Sequence, residues 1–364
     1  MQIPCFGLPL GEGDFRTGSR VNYLLEMAQQ HSKVRMCVEL KGDSLDPDGW
    51  IREFHQQFAP VDGKMLWHPG QKLTRTLVGE DGNLAPALAA MARQANILRE
   101  RYGLLAVTIH LVPAVQKEPD PGAGFERYNS PIGARTMLSH IMSQVNPIRQ
   151  LNEMMGGILH IETVDITNFS SGGCRLPTYL ALQTGAWMDL VWLAREAGVR
   201  ITADSEHMLC AGNLLMRRRD LADVPRWWIV ESNEAEEQWA LARVTGYFLK
   251  EGEAPEAIDA TNLETHFEIL NPHLYHFGAA VQANLNGTLG IHLPYDEVNA
   301  GQMAILDMQL ERIKDGKGIG GVVEVTGQLD PERYDPWSPR SSDDEEAKRH
   351  TLQVVLRRWE TLTA

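Results

Sequence analysis

Histidine, glutamate and aspartate recur in this sequence at the points where short apolar runs end. Imidazole nitrogens and carboxylate oxygens are the donors that Zn²⁺, Mn²⁺ and Fe²⁺ prefer in proteins. If the fold gathers these run ends at one place, the carboxylates repel one another unless a cation lies between them. The eight residues that fit this description are His68 in MLWHPG, His110 in TIHLVP, Glu162 in HIETVD, Asp204 and His207 in ADSEHM, His276 in LYHFG, His292 in GIHLPYD and Glu324 in VVEVTG.

The apolar runs are themselves β-strand candidates, because each is short and rich in β-branched or large apolar residues. A loop and then an amphipathic helical pattern follow the runs, and this alternation is typical of repeated β/α units. The eight predicted strands are Ile3–Leu8, Val34–Leu40, Met65–His68, Leu104–His110, Gly157–Glu162, Val199–Ala203, a seventh around Leu274–Ala280, and Gly321–Val325.

Helical patterns lie between these strands, with apolar residues at three- and four-residue spacing. Gly103 and Gly198 are predicted to end two of them as helix C-caps. No GxGxxG follows the first strand, so dinucleotide binding is not indicated. We predict an α/β fold, a single (β/α)8 TIM barrel spanning residues 1–364. The predicted helices are Ser19–Gln30, Gly49–Phe58, Asn83–Tyr102, Ala134–Met155, Tyr179–Gly198, Glu234–Leu249 and Gly301–Lys314.

Two segments exceed what the barrel requires. Residues 208–272, between strands six and seven, are too long for one loop and helix, and they are predicted to be an insertion rich in tryptophan. We expect this insertion to cover the site or to make a subunit contact, so a homo-oligomer is possible. Residues 330–364 are predicted to form a loop, Asp330–Glu346, and a final helix, Glu345–Thr361.

The barrel prediction gives the eight polar residues a common location. In a TIM barrel the active site lies at the carboxyl ends of the strands. A single histidine at a strand end is most often a hydrogen-bonded structural residue, but acidic or imidazole residues end six consecutive predicted strands, three to eight. The sequence therefore predicts a divalent metal centre, with Mn, Zn or Fe as the candidate metals.

The composition limits the classes of partner and substrate that we expect this protein to bind. Asp and Glu number 48 against 34 Lys and Arg, and the net charge of -14 makes nucleic acid an unlikely partner. No run approaches the 18 or so apolar residues of a membrane span, and the N-terminus has no signal-peptide pattern, so a cytoplasmic location is expected. The four cysteines have no CxxC spacing and are expected to be reduced. A small-molecule substrate fits this profile best.

The end of the sixth predicted strand carries a more specific resemblance. Asp204 and His207 stand as D-x-x-H, which resembles the D-x-x-H of the xylose isomerase-like TIM-barrel superfamily. That superfamily includes sugar isomerases and epimerases, inosose dehydratases and endonuclease-four-type apurinic-site nucleases. Glu162 on strand five and Glu324 on strand eight look like its other metal carboxylates. The resemblance spans roughly residues 68–327.

Two patterns within that superfamily imply different centres. The sugar isomerase and epimerase pattern implies one metal, for which Glu162, Asp204, His276 and Glu324 suffice, with His207 beside the substrate. This pattern gives His68 and His110 no role. The epimerases also carry a second catalytic Glu shortly after the strand-five Glu and an Arg shortly after the strand-seven ligand. Here the corresponding segments, TVDITN and FGAAVQAN, offer Asp165 but no Arg.

The endonuclease-four-like pattern implies several metals. His68 and His110 would share one metal with a bridging Glu162, and His207 and His292 would hold a third. The sixteen-residue step from His276 to His292 also looks like that pattern, but Gly290 stands where the nucleases have an Asp two residues before the last histidine.

Four further features have ordinary structural explanations. His160 is interpreted as a buried structural histidine, because it lies two residues before Glu162 and faces the same side of the strand. Glu39, at the end of strand two, is equally compatible with a ligand-binding role and with a solvated strand end. Trp67 is at least as typical of the core as of a stacking platform. The loop of residues 168–174, NFSSGGC, lacks the P-loop lysine of a phosphate site.

The leading prediction is a divalent-metal-dependent enzyme that isomerises, epimerises or dehydrates a sugar or another polyhydroxy molecule. Glu162 or Glu324 would act as base on the carbon next to a carbonyl. The alternatives are a di- or trinuclear hydrolase of a phosphoester and, if iron fills the site, an oxidative enzyme.

Overall fold

Eight parallel strands close into a barrel in the computed structural model, which describes residues 3–43, 45–70, 77, 84–110, 117–120, 125–128, 134–163, 188–209, 263–280, 292–325 and 343–364. Each strand pairs with the next one along the chain, and the last pairs with the first. The single (β/α)8 barrel predicted from the sequence is thereby confirmed. The strands are β1 Cys5–Leu10, β2 Arg35–Lys41, β3 Lys64–His68, β4 Leu104–Ile109, β5 Leu159–Glu162, β6 Arg200–Asp204, β7 Leu274–Phe277 and β8 Gly320–Val323.

The strands are apolar because both of their faces are buried. In β1 every residue except Pro9 is buried, as expected for a parallel strand with helices on one side and the barrel interior on the other. Each observed strand overlaps its predicted counterpart. The strand ends differ from the predictions by at most three residues: β1 begins two residues later, at Cys5, and β7 ends at Phe277 rather than Ala280.

Helices surround the barrel and follow the predicted pattern closely. Gly103 and Gly198 have φ of 70° and 69°, the left-handed conformation that a glycine C-cap supplies. The helix Glu12–Thr17 was not predicted, because six residues are too few to display a helical repeat. The helix Leu263–Leu270 lies in the predicted 208–272 insertion, where its bounds were not predicted. The helices are α1 Glu12–Thr17, α2 Ser19–Gln30, α3 Trp50–Phe58, α4 Pro86–Tyr102, α5 Ala134–Met154, α6 Met188–Ala197, α7 Leu263–Leu270, α8 Ala300–Lys314 and α9 Asp343–Thr363.

Three smaller elements complete the described chain. A 3₁₀ turn, Ala59–Val61, follows α3. Lys117–Asp120 and Phe125–Tyr128 form an antiparallel hairpin after β4. Ala279–Ala280 and His292–Leu293 form a second antiparallel pair after β7.

The apolar core has two parts. The larger part lies between the sheet and the helices and contains the bulkiest fully buried side chains, such as Trp67, Tyr275 and Phe54. The smaller part is a separate cluster formed by alternate residues of the strands, on the face turned to the barrel interior. Its buried members are Cys5, Cys37, Leu66, Ala106, Leu274, Ile319 and Val322.

Most of the predicted 208–272 insertion lies outside the described residues, including the predicted helix Glu234–Leu249. Its last part forms α7, which buries Leu263 and Phe267. The C-terminal loop was predicted to extend to Glu346, but α9 already begins at Asp343. Among the described helices, none is long and apolar enough to cross a membrane.

Candidate metal centre

The strand register brings the predicted donors to one end of the barrel interior. Lys41 pairs with His68 across β2 and β3, and Asp204 pairs with His276 across β6 and β7. The backbone N–H of Glu324 donates to the carbonyl oxygen of Phe277, which places Glu324 next to the end of β7. Because side chains alternate along a strand, these residues and Glu162 share the inward face with the apolar cluster below them.

Glu162 is the centre of the arrangement, and its two oxygens face different partners. Oε1 lies 3.1 Å from Nδ1 of His276. Oε2 lies 3.1 Å from Nε2 of His110 and 3.4 Å from Nε2 of His68. Its side chain is 1% exposed. A carboxylate placed in this way can belong to two groups of donors at once.

The first group surrounds Nδ1 of His276. That nitrogen lies 2.8 Å from Oε2 of Glu324 and 3.7 Å from Oδ2 of Asp204, in addition to its contact with Glu162. One donor atom from each of the four residues lies within 4.8 Å of all the others. Glu162, Asp204 and His276 are buried, whereas the Glu324 side chain is 24% exposed.

The second group consists of His68, His110 and Glu162. The Nε2 atoms of the two histidines are 3.2 Å apart, and both face Oε2 of Glu162. Two ring nitrogens at this distance either share one proton or face a common cation. The three donor atoms also lie within 4.8 Å of one another.

Asp204 and His207 are held by the chain turn that follows β6. Oδ1 of Asp204 accepts the backbone N–H of His207 at 3.0 Å, and the backbone N–H of Asp204 donates to Oγ1 of Thr163 at 2.8 Å. This capping contact leaves Oδ2 of Asp204 turned towards His276, and it explains the three-residue spacing of D-x-x-H.

A third possible group of donors consists of Asp204, Glu206 and His207, of which Asp204 and His207 were predicted. Nε2 of His207 lies 3.7 Å from Oδ2 of Asp204, and Nδ1 of His207 lies 3.4 Å from Oε2 of Glu206. Glu206 was not singled out from the sequence, where it stands between two predicted donors. The predicted partner of His207, His292, lies in the short pair after β7, and its side chain is outside the described residues.

Glu39 and Lys41 are the residues that sequence reasoning missed or left open. The Glu39 side chain is 1% exposed, so it is not a solvated strand end. Nζ of Lys41 lies 2.6 Å from Oε2 of Glu39, 2.6 Å from Nδ1 of His68 and 3.7 Å from Oε1 of Glu324. The sequence feature that could have identified them is E-L-K at the end of β2. Two charged residues separated by one position lie on the same face of a strand, here the inward face.

Opposite charges at short range shift the pKa values of the buried groups in the site. Burial alone would raise the pKa of Glu162, but His276, His110 and His68 together hold it well below its usual range. Burial alone would lower the pKa of His276, but the carboxylates of Glu162, Glu39 and Glu324 raise it well above its usual value. Burial is the main reason that the pKa of His110 is lowered. The carboxylates of Glu162 and Glu39 are therefore ionised at neutral pH.

The donor sets fit a first-row divalent cation. Donors bound at about 2.0–2.2 Å from such a metal lie about 3–3.5 Å apart at tetrahedral or octahedral angles. Nδ1 of His276 lies between 2.8 and 3.7 Å from the oxygens of Glu324, Glu162 and Asp204. Nitrogen and carboxylate oxygen are also the donor types that Mn²⁺, Zn²⁺ and Fe²⁺ accept. The donor types and the distances from His276 therefore fit such a metal.

His160 and Trp67, for which the sequence analysis offered structural interpretations, have structural contacts. His160 is fully buried, and its Nδ1 lies 3.1 Å from Oγ1 of Thr202. Trp67 is fully buried in the outer core, and its Nε1 donates to the carbonyl oxygen of Gly42. The loop of residues 168–174 lies outside the described residues.

Comparison with known proteins gives matches in structure alone. No protein-family model and no curated protein matches the chain by sequence. An L-ribulose 3-epimerase is 14% identical, with 99% of this chain and 98% of that chain covered and a TM-score of 0.46. A D-psicose 3-epimerase from Clostridium cellulolyticum H10 is 12% identical, with 99% of each chain covered and a TM-score of 0.49.

A xylose isomerase-like TIM-barrel protein from Mycobacterium smegmatis, solved in complex with magnesium, is 11% identical. The match covers 100% of this chain and 98% of that chain, with a TM-score of 0.48. At these identities and TM-scores the likeness carries no inference about chemistry. The likeness is one of barrel fold, which the strand pairing of this chain shows by itself.

Proposed function

We propose that this chain is a divalent-metal-dependent enzyme that isomerises, epimerises or dehydrates a sugar or another polyhydroxy small molecule by proton transfer. The observation that carries the proposal is the group formed by Glu162, Asp204, His276 and Glu324 at the carboxyl end of the barrel, where TIM-barrel active sites lie. Four donors from four strands converge there, and one of them is accessible.

Exposure separates the roles of the four residues. Glu162, Asp204 and His276 are almost completely buried, which suits residues that hold a metal and do not move. The Glu324 side chain is 24% exposed, so a substrate could reach its carboxylate. We assign Glu324 as the base that takes a proton from the substrate carbon next to a carbonyl, with Glu162 as the second carboxylate beside it.

A bound divalent cation would polarise the substrate carbonyl and stabilise negative charge on its oxygen. The remaining chemistry belongs to the chain. Nζ of Lys41 lies 3.7 Å from Oε1 of Glu324, so a positive charge accompanies the carboxylate that we assign as the base. The His207 side chain is 13% exposed, with Nε2 3.7 Å from Oδ2 of Asp204, and we assign it to contact a substrate hydroxyl.

The charge of the chain supports a small, uncharged substrate. The whole protein carries a net charge of -14, and the site itself holds the carboxylates of Glu39, Glu162, Asp204 and Glu324. A protein and a site with this excess of negative charge offer no general attraction to a phosphate backbone. Adjacent hydroxyl and carbonyl oxygens, by contrast, are suitable ligands for a hard or borderline divalent cation.

A second candidate function rests on Glu162. Its two oxygens face separate donor groups, His276 on one side and the pair His68 and His110 on the other. This is the arrangement of a carboxylate that bridges two metals, and two-metal sites hydrolyse phosphoesters. A di- or trinuclear hydrolase is therefore the alternative to an isomerase.

Solvent deuterium exchange would separate the two functions. The Mn²⁺-loaded protein is incubated in D₂O with a panel of ketoses and aldoses, and ¹H NMR follows loss of the proton next to the carbonyl. The proposal predicts metal-dependent exchange with at least one sugar, abolished in Glu324→Gln although metal binding persists. Absence of exchange across the panel, with hydrolysis of a phosphodiester such as bis-p-nitrophenyl phosphate, would reject the isomerase and favour the hydrolase.

A further inference from the structure

We propose that Glu39, on β2, is a positioning residue that fixes the tautomer and orientation of His276, so that Nδ1 of the imidazole is presented to the metal. This inference rests on the proposed metal-dependent function. Glu39 lies on the side of His276 opposite to the three carboxylates of the first donor group. Oε1 of Glu39 is 3.1 Å from Nε2 of His276.

The tautomer follows from the partners of the two ring nitrogens. A neutral imidazole has one N–H donor and one lone pair. An ionised carboxylate can only accept, so the contact with Glu39 requires the hydrogen on Nε2. Nδ1, on the other side of the ring, faces Glu162, Glu324 and Asp204, so a cation bound among these carboxylates would take the place of the Nδ1 hydrogen and leave the Nε2 hydrogen with Glu39. A histidine that binds a metal commonly donates its other N–H to a carboxylate in this way.

Lys41 makes the ionised form of Glu39 tolerable in a buried position. Burial of a lone carboxylate costs several kcal/mol unless an opposite charge and hydrogen bonds compensate it. Oε2 of Glu39 lies 2.6 Å from Nζ of Lys41, and Oε1 is occupied by His276. Oε1 of Glu39 thus faces the imidazole of His276, and Oε2 faces the ammonium group of Lys41.

The same contacts argue against Glu39 as a direct metal ligand. Glu39, His68 and His276 do have donor atoms within 4.8 Å of one another. However, Nζ of Lys41 lies 2.6 Å from both Oε2 of Glu39 and Nδ1 of His68, so an ammonium group already occupies the space between them. A cation there would have to displace Lys41, whereas the Nδ1 side of His276 is surrounded by carboxylates.

The test compares Zn²⁺ binding by the wild type, Glu39→Ala and Glu39→Gln, measured by isothermal titration calorimetry. Loss of a carboxylate behind a metal-bound histidine typically weakens affinity about 10–100-fold. We expect a loss of that size for Glu39→Ala with unchanged stoichiometry. Glu39→Gln should lose less, because its amide oxygen can still accept the Nε2 hydrogen. The control is Glu268→Gln, which changes an ion-paired glutamate of α7 and should leave Zn²⁺ affinity unchanged.

A spectroscopic readout separates positioning from a merely structural role. In Zn²⁺-loaded protein with ¹⁵N-labelled histidine, the Nε2 hydrogen of His276, assigned with His276→Gln, should give a slowly exchanging signal. We expect Glu39→Ala to lose that signal and Glu39→Gln to shift it. Because Glu39→Gln preserves the side-chain shape, it can be measured even if the alanine variant fails to fold.

Three results would reject either the role of Glu39 or the proposed metal-dependent function, and they differ in which of the two they reject. Equal affinity and an unchanged Nε2 signal in both variants would reject the positioning role of Glu39. A loss of one Zn²⁺ equivalent from the stoichiometry would make Glu39 a ligand and also reject it. A wild type that binds no Zn²⁺ would instead reject the proposed metal-dependent function.

Discussion

Two layers of the barrel interior are built from the same strands, two residues apart, and yet they have opposite chemistry. Moving two residues along β2 replaces Cys37 by Glu39, and on β3 the same step replaces Leu66 by His68. The lower residues belong to the inner apolar cluster, and the upper residues belong to the polar donor groups. The inward face of each strand therefore stabilises the barrel at one level and supplies ligands at the next.

A middle layer connects the two. Thr108, His160 and Thr202 lie on the inward face between the apolar cluster and the donors, and they are joined by hydrogen bonds of 3.1 Å. All three are buried. These neutral polar groups hydrogen-bond to one another without a cation, whereas the ionised residues above them need opposite charges. The change from neutral to ionised side chains marks where the stabilising part of the interior ends.

The largest effect should come from Glu162, which belongs to both donor groups. Glu162→Gln removes the charge that His276, His110 and His68 share. If the metal supplies about 4 kcal/mol of transition-state stabilisation, its loss lowers kcat/KM about 10³-fold. Steady-state kinetics with the substrate identified by deuterium exchange measures this. Activity within tenfold of the wild type would contradict the assignment of Glu162.

Lys41 should affect stability in a way that depends on metal. Lys41→Met leaves Glu39 without its ammonium partner, and removing one member of a buried ion pair costs about 3–5 kcal/mol. Since the Lys41 side chain is 32% exposed, we expect about 2–3 kcal/mol, measured by urea unfolding of chelator-treated protein. Added Zn²⁺ should recover part of this loss, because bound cation compensates the remaining carboxylates. An equal loss with and without Zn²⁺ would argue against a common electrostatic site.

Leu66 tests the lower layer by itself. Its side chain is 1% exposed in the inner apolar cluster, and Leu66→Ala in such a site costs about 2–5 kcal/mol. Urea unfolding should detect this destabilisation, while the Zn²⁺ affinity of the folded protein stays within about twofold, because no donor atom is removed. A tenfold change in Zn²⁺ affinity would mean that the two layers are not independent.

A smaller, pH-dependent effect is expected at the amino end of β7. Burial, followed by the charge of Arg200, lowers the pKa of His273 to about 4. The folded state then binds fewer protons than the unfolded state, in which the pKa is about 6.5, so this contribution to stability is lost as pH falls from 6.5 towards 4. His273→Gln should remove on the order of 2 kcal/mol of that pH dependence, and urea unfolding between pH 7 and 4.5 measures it.

Arg200→Gln provides the matched variant for this pH effect. Nη1 of Arg200 lies 3.0 Å from Nε2 of His273, so its removal should raise the pKa of His273 and reduce the acid-dependent loss without abolishing it. An identical pH profile in wild type and His273→Gln would show that the acid sensitivity arises elsewhere.

The fold was predictable because the strands of a parallel barrel are continuous apolar runs and their helices carry a clear repeat. The strand-end rule also found Glu162, Asp204, His276 and Glu324, because each follows such a run directly. The sequence could not supply the distances between these side chains. Whether two strand-end residues touch depends on register and on side-chain direction, which the sequence leaves open.

Glu39 and Lys41 illustrate that gap. A glutamate or a lysine at a strand end is ordinary on a protein surface, so neither residue is diagnostic by type. Their roles come from the pairing of Lys41 with His68 and from the reach of Glu39 to His276 across the barrel interior. Glu206 was missed for a similar reason, since its place beside His207 depends on the turn after β6.

The most direct test of the account is the metal content of the protein, measured by elemental analysis after purification without chelator. The account predicts at least one equivalent of a divalent first-row metal per wild-type chain and its loss in Asp204→Ala. A value near one would favour the isomerase centre, and two or three would favour the polynuclear hydrolase. No stoichiometric metal in the wild type, or a full complement in Asp204→Ala, would contradict the metal centre itself.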